Sequence, residues 1–259
     1  MFWNVFEISQ ELIRYFLQIA YLGTRFHGWQ IQENAHTVQQ ELENALSTLL
    51  RSSIKIVGSG RTDTGVHASA QMAHFDLEET LDLQKTVHRL NSFLPNDIAI
   101  KKIVRVKSNA HARFDALRRG YVYRLHQDKN PFLDGISAYI PNSLNIDVMN
   151  DCCAVLLRHS NFQAFSKVRT SVNNFECSLF SASWEHKGDQ IEFNIKANRF
   201  LRDMVRSIVG TSLEVGFGKK NIDWFEEVIV ARDRRKAGSS APACGLYLEE
   251  VSYPEEVFM

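Results

Sequence analysis

Cysteine is scarce, with four residues in a chain of 259. Cys152 and Cys153 are adjacent, Cys177 and Cys244 stand alone, and no C-x-x-C occurs. That argues against a zinc-finger or disulfide framework and leaves reduced thiols, as in the cytoplasm, as the expectation. Net charge is also missing: 30 basic residues balance 30 acidic ones, and the pI is about 7.1. A protein dedicated to coating nucleic acid is thereby disfavoured, although net charge hides its distribution. No apolar run approaches the roughly 18 residues of a membrane span. The first sixteen residues, MFWNVFEISQELIRYF, carry acids and no uninterrupted apolar stretch, so no signal peptide is expected. Low-complexity segments are absent. What the chain does have is 44% hydrophobic residues, enough for a sizeable core.

The pattern along the chain mixes strands and helices, and strands often follow one another. Arg14 to Tyr21 reads as a strand closed by Gly23. Thr37 and Gln40 have capping-box spacing ahead of a helix whose apolar positions are Val38, Leu42, Ala45, Leu46 and Leu49. SIKIV and AQMAHFDL read as extended segments on either side of a glycine loop. A helix stopped before Pro95 and two alternating strands follow, the second placing Tyr121, Tyr123 and Leu125 on one face. Residues 130–145 read as loop. The second half repeats the layout: a helix over IDVMNDCCAVLLRHS, a strand pair turning near Gly188, a helix over FLRDMVRSIVGTSLEVGFG, a further helix and a closing strand. The long helix places Arg202 and Arg206 one turn apart beside its apolar stripe. The expected fold is α+β: two similar lobes, residues 1–112 and 113–259, each an antiparallel-rich mixed sheet with helices on one face, and a cleft between them.

The glycine loop, GSGRTDTGVHA (58–68), is the chemical centre of the sequence. A dinucleotide fingerprint would need a third glycine where Asp63 stands, and a Walker loop would need Lys-Ser/Thr where Val66-His67 stand. Asp63-Thr64-Gly65 is also the aspartic-protease triplet, but that chemistry needs two carboxylates sharing a proton, and no second D-[ST]-G occurs. Asp63, His67 and His74 lack metal-ligand spacing. A lone ionised Asp63 acting as nucleophile or base fits the loop, since the glycines admit a bulky substrate and Arg61 can pair with a carboxylate or a phosphate. By residue type alone, a tight turn with a capping aspartate stays the commoner reading. A second basic feature is the run from Lys101 to Arg124, which includes Lys102, Arg105, Lys107, Arg113, Arg118 and Arg119 against one acid, Asp115. A solvated face explains such a run as well as a binding surface does.

GRTDTGVHASAQMAHF closely resembles the catalytic motif G-R-T-D-A-G-V-H-A of the TruA-type tRNA pseudouridine synthases. The resemblance extends in order through YLGTRFHGWQIQ, LNSFLPNDIAI, HARFDALRRGYVYRL, NPF, NFQAFSK, KANRFLRDMVRSIVG and APACGLYLEEVSYP, over roughly residues 14 to 254. It implies Asp63 as catalytic nucleophile, with Arg61 positioning a flipped uridine, Tyr121 packing against its base and Arg206 pairing with Asp63. It implies a homodimer acting on the tRNA anticodon arm at uridines 38 to 40, without cofactor or metal. Lys101, Lys102, Arg113, Arg118 and Arg119 become candidate RNA contacts, and Arg232, Arg234, Arg235 and Lys236 a second set. A tRNA-binding protein that has lost catalysis, and the protease, are the alternatives. Thr64 and Leu22 depart from the family's usual Ala and Asp, outside the four named site residues.

Overall fold

The computed structural model describes residues 12–168 and 173–259. The signal-peptide expectation falls largely on residues 1–11, outside that range. The described residues form an α+β fold, an open, mostly antiparallel nine-stranded sheet with five α-helices. The strands are β1 (Ile13–Tyr21), β2 (Val57–Gly58), β3 (His67–Leu77), β4 (Ile98–Val106), β5 (Arg118–His126), β6 (Ala138–Tyr139), β7 (Leu179–Lys187), β8 (Gln190–Ala197) and β9 (Leu246–Ser252). The helices are α1 (Val38–Leu50), α2 (Leu83–Phe93), α3 (Ile146–Leu156), α4 (Met204–Gly216) and α5 (Ile222–Ala231). The main path of the sheet runs β4-β1-β3-β9-β5-β8-β7, with β2 on β3 and β6 on β5.

Helix starts follow their caps. The side chains of Thr37, Asp82, Asn145 and Asn221 accept the backbone N–H three residues on, at the N-termini of α1, α2, α3 and α5. The apolar stripes then bury against one face of the sheet. In β1, Tyr15, Leu17, Ile19 and Tyr21 join Val38, Leu42 and Leu46 of α1 and Leu90 of α2 in one core. In β5 and β8, Tyr123, Leu125, Ile191, Phe193 and Ile195 join residues of α3, α4 and α5 in a second. Phe16, alternating with Tyr15 and Leu17, points to the opposite face, where a small third cluster with Met72, Val106, Ala112 and Val257 lies.

The first two cores meet where β9 inserts between β3 and β5. β9 runs parallel to β3, with His67 opposite Tyr247 and Ala68 opposite Leu248. It runs antiparallel to β5, with Tyr121 opposite Leu248 and a bulge between Gly120 and Tyr121. Leu248 belongs to the first core, and the partly buried Tyr121 packs against both.

Two elements differ from the sequence pattern. SIKIV forms almost no strand: the Ile54 and Ile56 amides donate to Ser47 Oγ and Glu43 Oε1 of α1 instead of to a ladder. The long helix begins at Met204, not Phe200, because Asp203 takes a left-handed conformation (φ 65°). Leu201 is nevertheless buried, which carries the apolar period past the true helix start.

Candidate active site

The loop between β2 and β3 is held at nearly every backbone position. The Ser59 amide donates to the Met72 carbonyl (2.7 Å) and the Ser59 hydroxyl to Gln71 Oε1 (2.6 Å). Gln71, fully buried, turns its amide nitrogen to the Gly60 carbonyl (3.0 Å). The Thr62 carbonyl accepts from Trp29 N–H, and the Thr62 hydroxyl sits 2.8 Å from the Tyr21 phenol. Gly28, at φ +85°, comes so close to the Thr62 carbonyl that any Cβ there would lie 2.4 Å from its oxygen.

Asp63 opens a tight turn. The Val66 amide donates to its carbonyl at 3.1 Å, and Gly65, at φ +79°, occupies the position that a type II turn reserves for positive φ. The turn reading and the catalytic reading are therefore compatible: the turn is what displays the carboxylate. Thr64 is exposed at the turn's second position, and nothing in the structure assigns its hydroxyl a role.

His67 follows as the first residue of β3 and is fully buried. Its Nδ1 accepts the Gly23 amide (2.9 Å), so Nε2 carries the proton and donates to the Cys244 carbonyl (3.1 Å). Burial pulls its pKa down, and the ring stacks on Tyr247 at 4.6 Å. It is thus a neutral strut between the β1–α1 connection and the segment before β9. His74 likewise accepts the Ala112 amide at Nδ1. No group of three metal-ligating side chains occurs among the described residues.

Asp63 has one ion-pair partner among the described residues, and it is Arg202: Nε lies 3.4 Å from Oδ1, with the side chains 58% and 27% exposed respectively. Arg206, which the resemblance pairs with Asp63, has other partners in this structure. Because α4 starts at Met204, Arg202 lies in the turn before the helix and faces the loop, while Arg206 sits inside the first turn. Arg206 Nε donates to the Ala241 carbonyl (2.7 Å), and its Nη1 lies 3.4 Å from Asp203. Asp203 also accepts from the hydroxyls of Ser207 and Ser240. Arg206 thereby anchors the 238–241 segment to α4.

Tyr121 lies at the seam between the cores. Phe200 meets its ring edge-on, at 5.0 Å and 86°. Burial pushes its pKa to about 12, an effect that the Arg119 charge opposes and the Asp63 charge reinforces. At neutral pH it is a phenol, able to donate. The structure therefore brings together Asp63, Tyr121 and Arg202, with Arg61 exposed on the same loop.

The other basic candidates scatter. Lys101 and Lys102 are exposed on β4, the edge strand of the main sheet path, where lysines also discourage strand addition. Arg118 pairs with Glu250 at 2.6 Å. Arg113 is exposed beside Phe114. Arg119 is turned inward onto main-chain carbonyls, including that of Ser59. In the second set, Arg234 joins the Asp203–Ser240 network and Arg235 pairs with Asp233. Arg202 is the residue that sequence periodicity missed. An aspartate directly before an apolar periodic run is a helix-start signal, and reading Asp203 that way would have placed Arg202 outside the helix.

The sequence profile of a family described as tRNA pseudouridine synthase matches residues 18–115 and 155–254. A tRNA pseudouridine synthase A of Parabacteroides distasonis is 50% identical over 246 residues, covering 95% of this chain and 98% of that protein. Proteins of the same name from Bacteroides fragilis and Legionella pneumophila (strain Lens) are 47% and 38% identical over 247 and 246 residues. The first covers 95% of this chain and 98% of its own length, the second 94% of each.

Proposed function

The chain belongs to the tRNA pseudouridine synthase family and so is an isomerase of uridine in tRNA; on that premise we propose that it acts at uridines 38, 39 and 40 of the anticodon arm, with Asp63 as nucleophile on a flipped-out base. The observation that carries this reading is the Asp63–Arg202 pair near Tyr121, with Asp63 in a loop tethered along its backbone. Pseudouridine formation cleaves the N1–C1′ bond, turns the uracil and reconnects it through C5. Positive charge develops at C1′ as the bond breaks, and a carboxylate held there stabilises it, whether it attacks C1′ or removes a proton from the sugar. Arg202 offsets the carboxylate's charge in the free enzyme and keeps it oriented. The reaction consumes nothing, so the proposal invokes no cofactor or metal.

Turning the base requires unstacking it, at a cost of a few kcal/mol, and an aromatic platform returns about 1–3 kcal/mol. Tyr121 is the aromatic side chain placed for this. In this reading Arg61, exposed on the same loop, helps to position the flipped nucleotide through its phosphate. Two helix-bearing cores, one built mainly from residues before 112 and one mainly from residues after it, support a two-lobe description, 1–112 and 113–259; Leu248 in the first and Val66 in the second tie them together at the seam where the site lies. We further propose that the protein is cytoplasmic and a homodimer, the latter tested by light scattering of the purified protein. No described helix is long and apolar enough to cross a membrane.

The direct test is tritium release from tRNA labelled at C5 of uridine. Wild type should release it and Asp63→Asn should not; full release by Asp63→Asn sinks the nucleophile assignment. Mapping pseudouridine in tRNA from cells lacking the protein should show its loss at positions 38 to 40. Loss elsewhere would redirect the site specificity.

A further inference from the structure

Arg119 is the second residue of β5, two before Tyr121. Its guanidinium donates to four main-chain carbonyls: Nη1 to Ala116 (2.8 Å) and Asn198 (2.8 Å), Nη2 to Arg113 (2.6 Å) and Ser59 (3.3 Å). Among the described residues no carboxylate pairs with it, and burial with neighbouring Arg113 and Arg199 lowers its pKa. A partly buried cation without a counter-ion is costly, so its return must come from these bonds.

The four carbonyls belong to separate pieces of the site. Ser59 opens the loop that carries Arg61 and Asp63. Asn198 directly follows β8 and opens the segment that carries Phe200 and Arg202. Arg113 and Ala116 lie in the connection leading into β5. One planar group therefore sets the spacing between the loop bearing Asp63, the segment bearing its ion-pair partner, and the strand bearing Tyr121.

We propose that Arg119 is a positioning residue for uridine isomerisation, a clamp that holds the Asp63 loop and the Arg202 segment in register, and not a contact to tRNA. Lysine cannot replace it, because three donors on one flexible stem do not reproduce a fork that reaches four fixed acceptors. The inference rests on the reading of Asp63 as the catalytic group.

The test compares wild type, Arg119→Lys, Arg119→Gln and Asp63→Asn by tritium release under steady-state and single-turnover conditions. Rates are normalised to the folded fraction from near-UV circular dichroism. Misplacing reacting groups by about 1 Å costs about 100-fold, so kcat of Arg119→Lys should fall 10- to 100-fold while KM for tRNA stays within about threefold. The salt dependence of tRNA binding should not change. Arg119→Gln should lose at least as much; if it does not fold, Arg119→Lys alone decides. A rise in KM at unchanged kcat, with the log–log salt slope lower by about one, would make Arg119 a phosphate contact and overturn the proposal. Activity loss that only tracks the folded fraction overturns it too. Turnover by Asp63→Asn would instead fail the underlying reading. An inactive Asp63→Asn beside a fully active Arg119→Lys would fail the clamp alone.

Discussion

Replacing Arg202 by methionine should slow the chemical step modestly and specifically. A unit pair separated by 3.4 Å interacts by about 1.2 kcal/mol in bulk water and about 5 kcal/mol at an effective dielectric near 20. Arg202 is 58% exposed and Asp63 27%, so the pair sits toward the watery limit. About 1–2 kcal/mol is the share available for holding the carboxylate, and that corresponds to a loss of about 5- to 30-fold in kcat. Single-turnover tritium release at saturating enzyme reads it, and the gap from wild type should narrow as salt screens the pair. Arg206→Met is the control. It deletes the bond to Ala241 and leaves Asp203 with only hydroxyl and distant Arg234 partners, so it should cost about 1.5–3 kcal/mol of stability. Its folded fraction should keep kcat within about threefold. The opposite pattern refutes the reasoning: Arg206→Met losing more than 100-fold at unchanged Tm, with Arg202→Met near wild type, would mean that Arg206 reaches Asp63 once tRNA binds.

Gly28→Ala should cost at least about 2 kcal/mol in chemical denaturation, because it combines positive φ with a Cβ 2.4 Å from the Thr62 carbonyl; Gly60→Ala, with nothing within 4 Å, should stay within about 1 kcal/mol of wild type. His74 has its pKa lowered to about 4 by burial and by the Arg14 and His111 charges. The folded protein then binds fewer protons than the unfolded chain between about pH 6.5 and 4, so this contribution is complete above that window and is lost as pH falls through it. Up to about 3 kcal/mol should disappear in pH-dependent urea titrations, and His74→Gln should flatten the curve; an unchanged slope would contradict it. Tyr121→Leu should lower kcat/KM by about 1–3 kcal/mol more than Tyr121→Phe, which retains a ring; equal losses would remove the stacking role.

Most elements were legible because their signals are local. Thr37, Asp82, Asn145 and Asn221 announce helices through bonds to residues three positions away. Alternation in β5 reports which side chains, Tyr121, Tyr123 and Leu125, face a core; in β4 it breaks where Lys101 and Lys102 are both exposed, at a register shift against β1. The Asp63 loop was legible as a motif, and its turn as Asp-x-Gly spacing. What periodicity could not reveal depends on distant partners. Ile54 and Ile56 alternate like a strand, yet Ser47 and Glu43 take their amides. Leu201 extends the α4 stripe through a residue that is not helical. Arg119 is one cation in a basic run until the chain brings Ser59 and Asn198 to it.

The parallel pairing of β3 with β9 also sets a timetable. It joins His67 to Tyr247 and Ala68 to Leu248, so the strand that follows the Asp63 loop gains its central neighbour only when β9 arrives. Contacts this far apart in sequence form slowly, since the intervening chain must first be ordered. On a ribosome, β1, β3 and β4 with their two helices can collapse early, but the His67–Cys244 strut and the Tyr121–Leu248 pairing cannot exist yet. A nascent chain therefore carries the whole GRTDTG loop for most of its synthesis before residues 244–248 can close onto it.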